Sequence, residues 1–179
     1  MQRRKKSRMR KRFLAFFMLT VAANASWAQN AQCTLSGWVE DKDKQGTNVR
    51  AMPSAMGKVV TVFPFPSEDG DQAMVEIIGY DKGWLKISSA ETIDGSRLLN
   101  ETAWISAKKV TASVETNNNR PATLYSKPKR SSPKAGTIPN NTMISITGFD
   151  CFGYKVSHKG KSGWISRDDV CGNPVTTCP

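Results

Sequence analysis

The chain has 179 residues, 39% of them hydrophobic and 23% charged, with one histidine and four cysteines. Its formal net charge is +11, but eight of the 26 basic residues and none of the 15 acidic ones lie in the first 28 positions, so the remainder carries 18 against 15, a net of +3. That balance argues against a nucleic-acid footprint, which needs a basic face on the folded domain. A lone histidine without any Cys-x-x-Cys argues against a zinc or copper centre.

In chain order, the basic segment Arg3 to Arg12 leads into an apolar run from Phe13 to Ala23. Two small-x-small exits follow, Ala23-Asn24-Ala25 and Ser26-Trp27-Ala28. A basic start, a short apolar centre and a small-residue exit predict a cleavable signal peptide over residues 1–28. The run is shorter than the roughly 18 residues a spanning helix needs, so no stable membrane insertion is expected after cleavage. All four cysteines, Cys33, Cys151, Cys171 and Cys178, follow this segment. An even count in a short exported chain predicts disulfides and a periplasmic or secreted location. Of three possible pairings, Cys171 with Cys178 and Cys33 with Cys151 is favoured, because a seven-residue loop closes at low entropy cost. A Cys151–Cys171 bridge stays open as an alternative.

The mature chain reads as all-β. Short apolar runs alternate with polar ones and are bounded by Gly, Pro, Asn and Asp. Val59–Phe63, Met74–Ile78, Trp84–Ile87, Met143–Ile146, Tyr154–Val156 and Gly163–Ile165 are the expected strands. Ser88 to Thr102 reads as a long hairpin loop, and Phe63 to Asp71 as a second insertion. The polar stretch Glu115 to Pro121 marks a junction between two modules.

The modules repeat one another. Asn48-Val49-Arg50-Ala51-Met52-Pro53-Ser54 corresponds to Thr123-Leu124-Tyr125-Ser126-Lys127-Pro128, and Ala103-Trp104-Ile105 to Gly163-Trp164-Ile165. Between them, Trp84-Leu85-Lys86-Ile87 corresponds to Gly153-Tyr154-Lys155-Val156. The first copy, with Gly37-Trp38-Val39, the N-V-R-x-x-P-S opening and Gly83-Trp84, resembles a bacterial SH3-like domain, and the other module resembles the same domain in a more divergent form. The resemblance implies two small SH3-like barrels in tandem, over residues 33–112 and 120–179. The expected core is Val49, Val60, Val62, Ile77, Leu85, Ile87 and Ile105 in the first, and Leu124, Ile138, Ile144, Ile146, Val156, Ile165 and Val170 in the second.

No catalytic constellation emerges. His158 sits in a polar hairpin turn, and Asp41 with Asp43, like Asp168 with Asp169, reads as an acid pair in a solvated loop. Lys127, Lys129, Arg130 and Lys134 likewise read as solvated charge. No cofactor is expected. Trp38, Tyr80 and Trp84 are the candidate ligand contacts, whereas Trp104 and Trp164 are expected to be buried packing residues. The resemblance implies a non-catalytic envelope binding module for a peptide, a peptidoglycan fragment or an envelope protein. A connector joining partners without a small ligand is the alternative, and a cryptic cell-wall hydrolase or its regulator is the third.

Overall fold

The computed structural model describes residues 33–66, 72–175 and 178, so the expected signal peptide lies outside the described residues. The described chain is all-β, its helical content limited to short 3-10 turns. Strands are β1 (Leu35–Val39), β2 (Thr47–Arg50), β3 (Val59–Phe63), β4 (Ala73–Asp81), β5 (Trp84–Thr92), β6 (Arg97–Leu99) and β7 (Ala103–Ser106). They continue with β8 (Val110–Val114), β9 (Ala122–Tyr125), β10 (Lys134–Ile138), β11 (Thr142–Asp150), β12 (Gly153–His158), β13 (Lys161–Ser166) and β14 (Val170–Cys171). Every strand expected from alternation is present. The supposed loop Ser88 to Thr102 is instead largely strand: β5 runs on to Thr92, and β6 folds back on it with Ala90 opposite Leu99. The turn between them is closed by Ser96 N–H donating to the Thr92 hydroxyl at 3.0 Å.

All the strands join one sheet, in the order β10-β9-β13-β12-β11-β8-β1-β4-β5-β7-β2-β3, with β14 on β8 and β6 on β5. The order reads the same from both ends. A hairpin (β2–β3 or β9–β10) bonds to β7 or β13, which bonds to β5 or β12, which bonds to β4 or β11. Register shifts after Ile77 in β4 and after Ile146 in β11 mark bulges at matching places, each followed by a glycine, Gly79 or Gly148. Bulges bend the strand and raise its twist. The sheet nevertheless ends at β3 and β10, so its strands do not close into the barrels expected from the sequence.

Strand β8 joins the halves. Its residues Thr111 and Val110 pair with Trp38 and Val39 of β1, while Thr111 to Val114 pair with Ser145 to Thr142 of β11. Val114 and Ser113 also pair with Val170 and Cys171 of β14. Thus β8 stands to the second half as β1 stands to the first: β1 bonds to β4 and β8, and β8 to β11 and β14. The second half also grips the start of β1. Cys33 is bridged to Cys151, and the buried Tyr154 hydroxyl donates to the Ser36 carbonyl. Gly172 lies so near Ser36 that a Cβ there would sit 2.2 Å from its backbone carbon. Cys171 is bridged to Cys178, so both cysteine pairings are those favoured from the sequence.

One hydrophobic core runs through both halves, from Val49, Ile77, Leu85, Ile87 and Ile105 to Leu124, Ile138, Ile144, Val156 and Ile165. Three residues expected in it stand elsewhere. Val60 and Val62 are exposed, because β3 is an edge strand that buries Phe63 alone. Val170 is only partly buried against the core.

Candidate functional site

Trp38 does not reach the surface. It lies on β1 between β4 and β8, opposite Met74 and Thr111, and is 6% exposed. Tyr80 and Trp84 are accessible but do not converge. Tyr80 pairs with Leu85 and Trp84 with Asp81 at the end of the β4–β5 hairpin, and strand alternation turns the two side chains to opposite faces. Tyr80 lines a groove of about 280 Å³ with Gly83, Ala107, Lys108, Ser145, Ile146 and Thr147. Trp104 and Trp164, expected in the core, are half-buried. Each stands opposite a lysine on the next strand, Trp104 by Lys86 and Trp164 by Lys155, and the Lys86 ammonium lies 6.0 Å from the Trp104 ring centre.

Trp84 borders a cleft of about 170 Å³ formed by the loop after β1, the start of β2 and the 3-10 turn Ala107–Lys109. Asp41 organises its floor. The carboxylate accepts from the Thr47 hydroxyl at 2.9 Å and from the Asp43 N–H at 3.1 Å, and it pairs with the Lys109 ammonium. Burial pushes the Asp41 carboxyl up, but hydrogen bonds from Lys109, Thr47 and the Asp43 N–H outweigh it and hold the group below its ordinary range. Asp41 is therefore a buried structural anchor and not a solvated loop acid. Asn48 and Arg50 complete the wall, with Arg50 Nη1 donating to the Gly57 carbonyl at 2.7 Å.

The second half carries a cleft in the corresponding place, between the segment after β8, β9 and the 3-10 turn Arg167–Asp169. It is wider, about 630 Å³, and lined by Thr116, Arg120, Thr123, Tyr125, Arg130 and Asp169 among others. Ser166-Arg167-Asp168-Asp169 stands where the first half has Ser106-Ala107-Lys108-Lys109, so the 3-10 turn reverses its charge. The partner reverses too. Arg130 Nη2 donates to Asp168 at 2.9 Å and to the Ser166 hydroxyl at 3.0 Å. Burial raises the Asp169 carboxyl, with Arg130 opposing the shift and Asp168 reinforcing it. Tyr125 takes the place of Arg50, opposite Trp164, and packs edge-on against Phe152 at 5.7 Å between ring centres.

Residues 121–170 match the model of the bacterial SH3 domain family. The match falls on the half with the more divergent motifs and not on the half with the N-V-R-x-x-P-S opening. The β5–β6 extension and the 63–71 insertion distort the motif spacing of the first half. Similar solved structures include the following. NlpC2 from Trichomonas vaginalis is 23% identical with a TM-score of 0.32, over 78% of this chain and 48% of that one. NlpC1 from the same organism is 24% identical with a TM-score of 0.31, over 86% and 50%. An NlpC/P60 family protein from Bacillus cereus is 15% identical with a TM-score of 0.25, over 75% and 55%. The chain spans about half the length of each. No curated protein matches.

Among the described residues no group of three His, Cys, Asp or Glu is placed to hold a metal, and no helix is long and apolar enough to cross a membrane. His158 closes the β12–β13 hairpin opposite Lys161. The sequence reading missed the Asp41–Lys109 and Arg130–Asp168 pairs, which are 68 and 38 residues apart. The charge reversal between the two Trp-Ile-Ser segments was the available signal.

The Asp41 network gives a pH-dependent expectation. A carboxyl whose folded pKa is lowered stabilises the fold above its unfolded value, about 3.9, and this contribution is lost as pH falls through the folded pKa. Asp169, raised by burial, acts in the opposite sense and is relieved by acid. Asp41→Asn should cost about 1–2 kcal/mol at neutral pH and flatten the acid limb of stability against pH. Urea melts from pH 7 down to about pH 2, below the ordinary carboxylate range, check this, and an acid limb as steep as the wild type's would contradict it.

Proposed function

We propose that this protein is an exported, non-catalytic binding module of the bacterial cell envelope, built from two tandem SH3-like halves that take a peptide or a peptidoglycan fragment. The carrying observation is a cleft at the corresponding place in each half, edged by Trp84 in the first, with most of the second cleft's lining inside the segment that matches the bacterial SH3 domain. Aromatic walls offer contact area at low entropy cost and polar groups beside them fix orientation. Two further features support binding over catalysis: Asp41 is tied to Lys109, and Asp168 to Arg130, so these acids are already engaged in ion pairs. Both cysteine pairs are oxidised, which suits an extracytoplasmic compartment. Trp84 is the principal contact in this reading, with Tyr80 in the neighbouring groove. Trp38 has no part in it because it is buried.

Co-sedimentation of residues 29–179 with purified sacculi is the test. Saturable pelleting is expected. A protein left in the supernatant with sacculi, yet retained by a defined envelope protein, would favour the connector reading.

A further inference from the structure

The two clefts correspond residue by residue, and the floor that the first one closes is left open in the second. The Glu40 N–H donates to the Lys109 carbonyl in the first half, and the Glu115 N–H donates to the Asp169 carbonyl in the second. These matching bonds equate Glu40 with Glu115 and Lys109 with Asp169, and hence Asp41 with Thr116. Arg50 and Tyr125, each opposite its tryptophan, equate Thr47 with Ala122 in the same way. In the first half Asp41 accepts from the Thr47 hydroxyl and pairs with the Lys109 ammonium, so an internal ion pair closes the floor. In the second half the same three places hold Thr116, Ala122 and Asp169. The hydroxyl donor and the opposite charge are both gone. The Thr116 hydroxyl is bonded to the Arg120 carbonyl and the Asn140 side chain.

Asp169 is therefore a carboxylate without a mate. It is partly buried and lines the cleft, yet among the described residues its side chain takes no hydrogen bond and no ion pair. Arg130 is engaged with Asp168 and the Ser166 hydroxyl. A partly desolvated carboxylate without a donor is unfavourable for the fold. No fully buried side-chain oxygen or nitrogen among the described residues lacks a partner, so the Asp169 oxygens are open to solvent. One other charge on the lining is unengaged. Arg120 is exposed, and its guanidinium has no hydrogen bond or ion pair among the described residues. Of the four charged residues lining the cleft, Arg130 and Asp168 neutralise each other, which leaves one anion and one cation.

We infer that the second cleft is a receptor for a zwitterionic ligand, a short peptide whose free ammonium pairs with Asp169 and whose free carboxylate pairs with Arg120. It rests on the reading of the clefts as recognition sites and names what the second one takes. The first half supplies the template, because a lysine ammonium meets a carboxylate at the same place within the chain itself. A ligand ammonium restores in the second half the opposite charge that Thr116 does not provide. Bonds between ionised donors and acceptors are about twice as strong as neutral ones, which suits a partly desolvated site. At about 630 Å³ the cleft has the size of a small-ligand site, against about 170 Å³ where the ion pair closes the floor.

The experiment titrates residues 29–179 with alanine, dialanine and trialanine up to about 10 mM, read by two-dimensional amide NMR. The N-acetylated and C-amidated forms of the same compounds are run beside them. At least one free compound is expected to shift the amides of Thr116, Thr123 and Asp169, and either blocked form should bind about tenfold more weakly or worse. Asp169→Asn should weaken the free compound as N-acetylation does, and Arg120→Gln as C-amidation does. Asp169→Asn should also melt no earlier than the wild type, since a neutral amide replaces an unpaired carboxylate. Free and blocked compounds that bind alike, no shift with any of them, or undiminished binding by Asp169→Asn overturns the inference. So does a marked drop in the melting temperature of Asp169→Asn, which would make Asp169 a structural residue. Co-sedimentation of the same protein with sacculi separates this from the wider reading. A protein that pellets with sacculi but ignores the free compounds refutes the zwitterion receptor alone, whereas loss of both refutes the cleft reading as well.

Discussion

Replacing Cys33 and Cys151 together by Ser is expected to remove about 5 kcal/mol of stability, whereas replacing Cys171 and Cys178 should remove about 2–3 kcal/mol. The bridges close loops of very different size, with sequence separations of 118 and 7. Cross-linking restricts the unfolded chain in proportion to the logarithm of the loop, so the long bridge constrains far more of the denatured ensemble. It also pins the start of β1 beside the Tyr154 hydroxyl and Gly172, which close over Ser36. Without it the second half must find β1 across an open chain. Domains of this size are stable by about 5–15 kcal/mol in total, so the first variant should be close to unfolding at 37 °C. Guanidinium melts of both double variants and the wild type measure the difference. Equal losses, or a larger loss from the short bridge, would contradict the expectation.

A fragment starting at residue 120, where the polar junction suggests a boundary, is expected to show no cooperative unfolding transition, whereas one starting at residue 109 should show one. Both are compared with Cys151→Ser, to remove an unpaired thiol. The shorter fragment lacks β8, which supplies the pairing partner of β11 from Thr142 to Ser145 and of β14 at Val170 and Cys171. It also lacks Ala112 and Val114, both fully buried. Small domains of about 60 residues bury too little surface to lose a central strand and still fold. The longer fragment restores that strand and the pinned turn after it, where the Thr116 N–H donates to Asn140 at 2.7 Å. Circular dichroism melts decide this. A cooperative transition for the shorter fragment at the full chain's midpoint would show that β8 is dispensable to the second half.

The strands were legible because alternation of apolar and polar residues is a local signal, and β11, β12 and β13 carry it plainly. The disulfide pairing was legible for a similar reason, since Cys171 and Cys178 are neighbours in sequence and leave one partner for Cys33. Trp38 and β3 were misread because burial depends on where a strand stands in the sheet. Trp38 is on a central strand and Val60 and Val62 on an edge, and nothing within either segment records that position. The clefts were legible only through Trp84. Asp41 with Lys109 and Arg130 with Asp168 meet through the fold, so acids and bases that look solvated one at a time become paired.

The most direct measurement is the affinity of residues 29–179 for sacculi, in parallel for the wild type and Trp84→Ala, each with a thermal melt. Truncating an aromatic anchor should weaken binding by about 2 kcal/mol, roughly thirty-fold. Trp84 is half-buried at a cleft edge, so its variant should keep a cooperative melt. A folded Trp84→Ala that binds like the wild type would contradict the assignment of the Trp84 cleft as the recognition site.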